Sequence, residues 1–358
     1  MTILIPRRTF LVGSATAAAA MTVGQEARAA GPVKAAWVYV GPVGDFGWSY
    51  QHDLGRKAVE AALGDKVKTS FVEKVAEGPD SERVIRQLAG VNDIVFTTSF
   101  GFMNPTERVA KQFPKVKFEQ ATGYKTGANF AEYNARFYQG RTVAGTLAGL
   151  LSKKGVAGYV GSVPIPEVVM GINAFTIAAR KINPNFQTKV IWVNAWFDPG
   201  KEADAAKSLI DQGADFINQH TDSPAVVQTA EARGVMAVGE ASNMQNFGPK
   251  AQVTSNMDDW GPYYIERIKA VIDGTWKSQS VWLGMKEGAV AMAPYGPAVT
   301  PEAAAAADKV KAAIIAGTLD PFAGPIKNQK GELKVAAGQT IADADLQKMD
   351  WYVEGVQA

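Results

Sequence analysis

Short apolar runs alternate with stretches whose apolar residues recur at helical spacing. From Lys34 to Gly239 this alternation constrains the fold more than any other feature. Ala35–Val40, Lys68–Lys74, Asp93–Thr98, Lys115–Glu119, Val156–Val160, Val190–Val193, Asp215–Asn218 and Val235–Gly239 read as strands. The segments between them, among them Trp48–Leu63, Ser81–Leu88, Tyr138–Leu151, Glu167–Lys181 and Lys201–Gln212, read as helices. Repeated strand–helix units predict an α/β fold of mostly parallel sheets flanked by helices, with right-handed crossovers. The order runs once to Glu119 and starts again after Tyr124–Asn129, whose Gly, Thr and Asn predict a crossing between two Rossmann-like lobes of about 120 residues each. Past Gly239, the strand Gln252–Ser255 and the helix Asp258–Ile272 read as the chain returning to the first lobe. The expected division is therefore 30–125 with about 250–280 in lobe 1, and 126–249 with about 281–358 in lobe 2. Ile326–Ala336 reads as a hairpin turning at Lys330-Gly331.

The N-terminus adds a compartment. Arg7-Arg8 precedes bulky apolar residues, an Ala-rich run follows to Val23, and Ala27-Arg28-Ala29 presents small residues where a signal peptidase cuts. Residues 1–29 thus read as a twin-arginine export signal, and the mature chain as periplasmic. The run falls short of the roughly 20 apolar residues a membrane span needs. The chain has no cysteine, which excludes a lipid-anchored N-terminus and leaves stability to packing. Without residues 1–29 the charges balance, since Arg7, Arg8, Arg28 and Glu26 leave with them. A neutral chain without basic runs argues against nucleic acid as a partner.

Candidate site residues cluster where strands end, the edge at which α/β sheets bind ligands. The first turn, Gly41-Pro42-Val43-Gly44, fits neither a phosphate loop nor a dinucleotide fingerprint. It leads instead to a carboxylate and a flat ring, Asp45 and Trp48, with Ser49 and His52 one turn on. Phe100 and Phe102 follow the third strand, and Trp196 and Phe197 follow Val190–Val193. His220 and Asp222 lie past Asp215–Asn218, and Glu240 and Asn243 past Val235–Gly239. Trp260 opens the helix after Asp258-Asp259, while Lys286 and Gly288 are hinge or rim candidates. Flat rings suit stacking; carboxyl, imidazole and amide groups suit the N–H donors and ring nitrogens of a heterocycle. Each has a structural alternative, core for the aromatics and helix caps for Asp45 and Asp222. The two histidines sit in different lobes without ligand spacing, so no metal or other cofactor is expected. No nucleophile elbow accompanies Ser, His and Asp, so an enzyme is the minor alternative.

Taken in order, several segments resemble the basic membrane protein family, the purine-nucleoside-receptor-like substrate-binding proteins of ABC transporters. Asp45-Phe46-Gly47-Trp48-Ser49 is similar to the family's D-x-S-F-N segment and Gly101-Phe102 to its G-F stretch. Ala148–Gly161, Gly171-Ile172-Asn173-Ala174-Phe175, Asn183-Pro184, Trp196-Phe197-Asp198 and Gly213-Ala214-Asp215 continue the resemblance. It implies the type I periplasmic-binding-protein fold, two lobes joined by three crossovers, acting as a monomer with an inner-membrane ABC permease as partner. It also implies purine nucleosides as the typical ligand, held in an aromatic sandwich. Two positions depart from the pattern. Ala241 stands where the family's nucleoside binders carry an aspartate for the ribose, and Asp258 where they carry a lysine. The expected ligand is therefore a free purine base, adenine-like, or a related flat heterocycle. The alternatives are nucleoside binding, an exported nucleoside hydrolase, and a receptor that signals without transport.

Overall fold

β1 (Val33–Val38) carries Ala35, Ala36, Trp37 and Val38, all fully buried. A strand with parallel neighbours on both sides and helices on both faces has no polar side, which is why this run is apolar throughout. The computed structural model describes residues 31–358, so the twin-arginine segment and its cleavage site lie outside the described residues. After β1 come α1 (Gly47–Leu63), β2 (Val67–Val72), α2 (Pro79–Ala89), β3 (Ile94–Thr97), α3 (Met103–Gln112), β4 (Lys117–Ala121) and β5 (Phe130–Ala135). The chain continues through α4 (Phe137–Leu151), β6 (Val156–Gly161), α5 (Pro166–Ile182), β7 (Gln187–Trp192), α6 (Pro199–Asp211), β8 (Phe216–His220), α7 (Ala225–Arg233), β9 (Met236–Ala241) and β10 (Gln252–Asp258). It closes with α8 (Gly261–Ile272), β11 (Ser280–Leu283), β12 (Val290–Met292), α9 (Pro301–Ile315), the small hairpin β13 (Ile326–Lys327) and β14 (Leu333–Val335), α10 (Asp343–Leu346) and β15 (Val356–Gln357).

Two main sheets result, ordered β11-β5-β4-β3-β1-β2 and β12-β10-β9-β8-β6-β7-β15. Every pairing within them is parallel except β10 with β12. This is the α/β architecture the alternation predicts, but the points of crossing differ from expectation. Tyr124–Asn129 does not leave the first sheet, because β5 pairs with β4 and Phe118 faces Phe130. Gly127 and Phe130 bridge, and the Asn129 amide donates to the carbonyls of Ala110, Phe113 and Val116. The polar composition that resembles a linker builds a tight turn, and the chain crosses only after Ala135. Likewise, β10 belongs to the second sheet between β9 and β12, and the return to α1 is made by α8. The third crossing falls between β11 and β12, in the stretch holding Lys286 and Gly288.

Packing is closest between α4 and α5. A Cβ on Gly145 would lie 2.1 Å from the Phe175 carbonyl oxygen, so the helices approach at backbone distance. Under the first sheet, Trp37 stacks on Phe96 at 4.7 Å, with Tyr133 and Tyr264 buried beside them.

Candidate functional site

Parallel strands of both sheets end at one cavity. Val40 follows β1, Ser99 and Phe100 follow β3, Thr122 follows β4, and Phe137 opens α4 just beyond β5. From the second sheet come Trp196 past β7, His220 at the end of β8, Asp222 just beyond it, Glu240 on β9, and Glu167 in the first turn of α5. The lining follows the usual form of small-molecule sites, flat apolar walls with a few converging polar groups.

Trp48 forms one wall. Its indole N–H donates to the Thr98 carbonyl at 2.6 Å, and its ring meets Phe137 and His52 edge-on. Trp196 stands across the cleft, its indole N–H donating to Glu77 at 3.2 Å. The same Glu77 carboxylate accepts from the Ser99 hydroxyl and the Gly101 amide, so one acid on the first-sheet side secures a ring from the second. The two sides also touch where the Gly47 amide donates to the Ser242 hydroxyl at 2.8 Å and where Phe46 meets Phe247 edge-on. Gly47 has φ +77, and a Cβ on it would lie 2.4 Å from the Asp222 carbonyl oxygen. The cleft is closed, and glycine is the residue that lets it close.

Buried charge collects on the second-sheet side. Arg141 of α4 is fully buried and pairs with Glu240. Burial works against the guanidinium charge, but Glu240, Tyr159 and Asp258 together hold Arg141 above its ordinary range. Burial, reinforced by the Glu240 charge, pushes the Glu167 carboxyl up to about 8. Burial, with Glu202 and Glu240 nearby, pushes Asp222 well up, and Asp258 rises for the same reason. Burial and the Arg141 charge hold His220 well below the usual imidazole value, so it is neutral. No serine, threonine or cysteine hydrogen-bonds to His220 among the described residues, so it lacks the partner a nucleophile–base pair needs. Nor do three His, Cys, Asp or Glu side chains among the described residues converge as metal ligands.

The predicted residues divide sharply. Trp48, Phe100, Trp196, His220, Asp222 and Glu240 line this cavity. Ser49 and Phe197 border a smaller crevice beside it, where the Ser49 hydroxyl accepts the Gly41 amide and fixes the turn. His52 lies behind the wall, its Nδ1 2.5 Å from the Tyr264 hydroxyl and its ring stacked on Trp260. Trp260 is fully buried in the same aromatic core. Phe102 is also core: the tight turn Phe100–Phe102 sends it under the sheet beside Met103 and Val109. Asn243 is exposed, its side-chain oxygen accepting from Gln252 and the Gln245 amide. Asp45 is exposed away from the cavity, and the cap position of α1 falls to Phe46. Sequence reasoning missed Phe137, Arg141 and Glu167. An acid just after Pro166 carries the signature of an ordinary helix start, and only the junction of β5 with α4 marks Phe137.

Comparison with known proteins supplies the context. The family described as ABC transporter substrate-binding protein PnrA-like matches residues 32–319. A purine-binding protein of Brucella abortus is 57% identical over 339 residues, covering 94% of this chain and 97% of that protein. A putative ABC transporter glucose-binding protein of Haloferax volcanii is 39% identical, covering 91% of this chain and 80% of that one. Among solved structures, an ABC transporter solute-binding protein from Aeropyrum pernix superposes with a TM-score of 0.70 at 19% identity, covering 82% of this chain and 94% of that chain.

Proposed function

The chain belongs to the Bmp family of PnrA-like ABC transporter substrate-binding proteins, and from that premise we propose that its cleft holds a free purine base and delivers it, chemically unchanged, to an inner-membrane permease. The observation that carries this reading is the composition of the one cavity. Trp48, Phe100, Phe137 and Trp196 offer flat faces, while Glu167, Asp222, Glu240 and His220 offer buried polar atoms. A purine presents two flat faces and an edge of N–H donors and ring nitrogens, and base–aromatic stacking contributes about 1–3 kcal/mol per base. Among the described residues no lysine or arginine lines the cavity, and the nearby Arg141 is bonded to Glu240, which disfavours a phosphorylated ligand.

A base is favoured over its nucleoside by the end of β9. Ala241, where a ribose acceptor stands in the family's nucleoside binders, has only a methyl group. The acid one residue earlier, Glu240, has one oxygen bonded to Arg141 and so cannot take a ribose bidentately. The Brucella relative, named for purine binding, supports the class of ligand. In the same proposal the chain is exported through its twin-arginine signal, cut after Ala29, and works in the periplasm as a monomer.

Titration calorimetry with adenine, guanine, hypoxanthine, adenosine, inosine and glucose tests the reading. Saturable binding of a base, with its nucleoside at least about tenfold weaker, is the expected result. A nucleoside or glucose binding more tightly than every base overturns it. Free base released on incubation with inosine replaces it with an enzyme.

A further inference from the structure

Two buried acids in this protein have both oxygens bonded. Glu119 accepts from Arg267, Tyr263 and Trp276, and Glu202 accepts from Ser223 and the Asp198 amide. Glu167 differs from them, as Glu132 and Asp258 do, and of these three it lines the cavity. Its side chain is only 11% exposed and faces the cavity, yet Oε2 has no hydrogen-bond partner among the described residues. Its Oε1 lies 3.6 Å from His220 Nε2, and Glu240 Oε1 lies 3.7 Å from that same nitrogen. Both separations are too long for a good hydrogen bond. His220, itself 8% exposed, also leaves Nδ1 without a partner among the described residues. Two carboxyls therefore flank one imidazole, all three aimed at the cavity and none bonded to another. Buried polar groups left so are costly unless something else bonds to them.

The two acids are not equivalent. Burial raises the Glu240 carboxyl, but the Arg141 guanidinium bonded to it opposes that rise and favours its carboxylate form. Glu167 has no cation bonded to it, and two neighbouring carboxyls in a dry site do not both ionise. Resting on the base-binding reading above, we propose that Glu167 and Glu240 read one edge of the base as a donor–acceptor pair. Glu167, as a carboxylic acid, donates its O–H to a ring nitrogen. Glu240, as a carboxylate, accepts an N–H of the amine beside it. Adenine presents that arrangement, an exocyclic amine next to an acceptor nitrogen. Glu167 is thereby a specificity residue that no motif in the sequence marks.

The proton on Glu167 makes binding pH-dependent. The groups that face it are His220 on β8, Glu240 on β9, Arg141 on α4, Glu132 on β5, Tyr159 on β6 and Asp258 on β10. Burial is the largest influence and raises it, Glu240 and Glu132 add to that rise, and Asn134 and Arg141 oppose it, leaving it near 8. If only the acid form binds, affinity is full below that value and is lost above it.

The test is calorimetry with adenine as probe, from pH about 6 to pH about 9.5, on the wild type, Glu167→Gln and Glu167→Ala. The wild type is expected to hold a constant Kd to about pH 7.5 and then to weaken roughly tenfold per pH unit. Glu167→Gln keeps a donor that does not titrate, so its Kd stays within about threefold of wild type at pH 7 and is flat with pH. Glu167→Ala loses about tenfold or more at pH 7. A flat wild-type profile, tighter binding at high pH, or a Gln variant as weak as the Ala variant overturns the assignment while leaving base binding intact. Failure of the wild type to bind adenine or any other base at any pH overturns both. The wild-type titration needs no variant to fold.

Discussion

Glu119 and Glu167 are both acids withdrawn from water, and they use their oxygens differently. On the first-sheet side, Glu119 is closed off by Arg267, Tyr263 and Trp276, and lies under the sheet away from any ligand. On the second-sheet side, Glu167, His220 and Asp258 each keep a side-chain atom without a partner among the described residues. Asn256, Tyr159 and Arg141, behind them, do the same. Trp37, His52, Gln120, Glu132 and Trp260 on the first-sheet side also keep an unpartnered atom, so the contrast lies in the two acids and not in whole regions. Glu119 has spent its oxygens on holding shape, while Glu167 faces the cavity with one in reserve, which costs stability and leaves a bond available to whatever enters.

The largest effect should come from removing the first acid. Glu119→Ala leaves the Arg267 guanidinium buried without its carboxylate and should cost about 3–5 kcal/mol of folding stability. Chemical denaturation reads it directly, with Glu167→Gln expected within about 1 kcal/mol of wild type. Equal costs for the two would abolish the contrast.

The aromatic walls sharpen it. Trp48 is locked by Thr98, Phe137 and His52, whereas the indole of Trp196 is fixed by Glu77. Each Trp→Ala change should cost about 1–3 kcal/mol of base affinity. Trp48→Ala should also lower the denaturation midpoint more than Trp196→Ala, since both rings are half-buried against the core but Trp48 packs on His52, Phe137 and Trp260 whereas Trp196 packs on His220. A Trp196 variant with full affinity would remove that side chain from the site.

The smallest effect belongs to the acid that joins the two regions. Glu77→Ala frees Trp196, Ser99 and Gly101 together and should weaken binding by about 0.5–1.5 kcal/mol, seen as faster ligand release in stopped-flow fluorescence. Unchanged release would mean that the Trp196 contact follows closure without supporting it.

Much of this was legible before any coordinates. The alternating pattern states the architecture because period-two and period-3.6 apolar spacing answer to different backbones. Trp196 and His220 were within reach because residues just beyond strand ends have few other places to go. What stayed hidden is a matter of phase and of pairing. Phe100 and Phe102 are two residues apart in a tight turn, and composition does not say which one faces the cleft. His52 and Trp260 look like ligand groups singly but stack on each other at 4.8 Å. Glu167 looks like a helix-start acid, and its difference from any other appears only when α5 lies against the ends of β8 and β9. The stretch around Asn129 resembles a linker because its hydrogen bonds run to carbonyls far away in the sequence.

Gly47 carries a consequence beyond its own turn. It touches Asp222 and Ser242 across the cleft and does not line the cavity. Any side chain there would act as a doorstop, holding the halves ajar and reducing the share of molecules ready to bind. Apparent affinity can thus drift through generations at a spot the cargo never meets, leaving the recognition chemistry untouched while the threshold concentration for uptake moves.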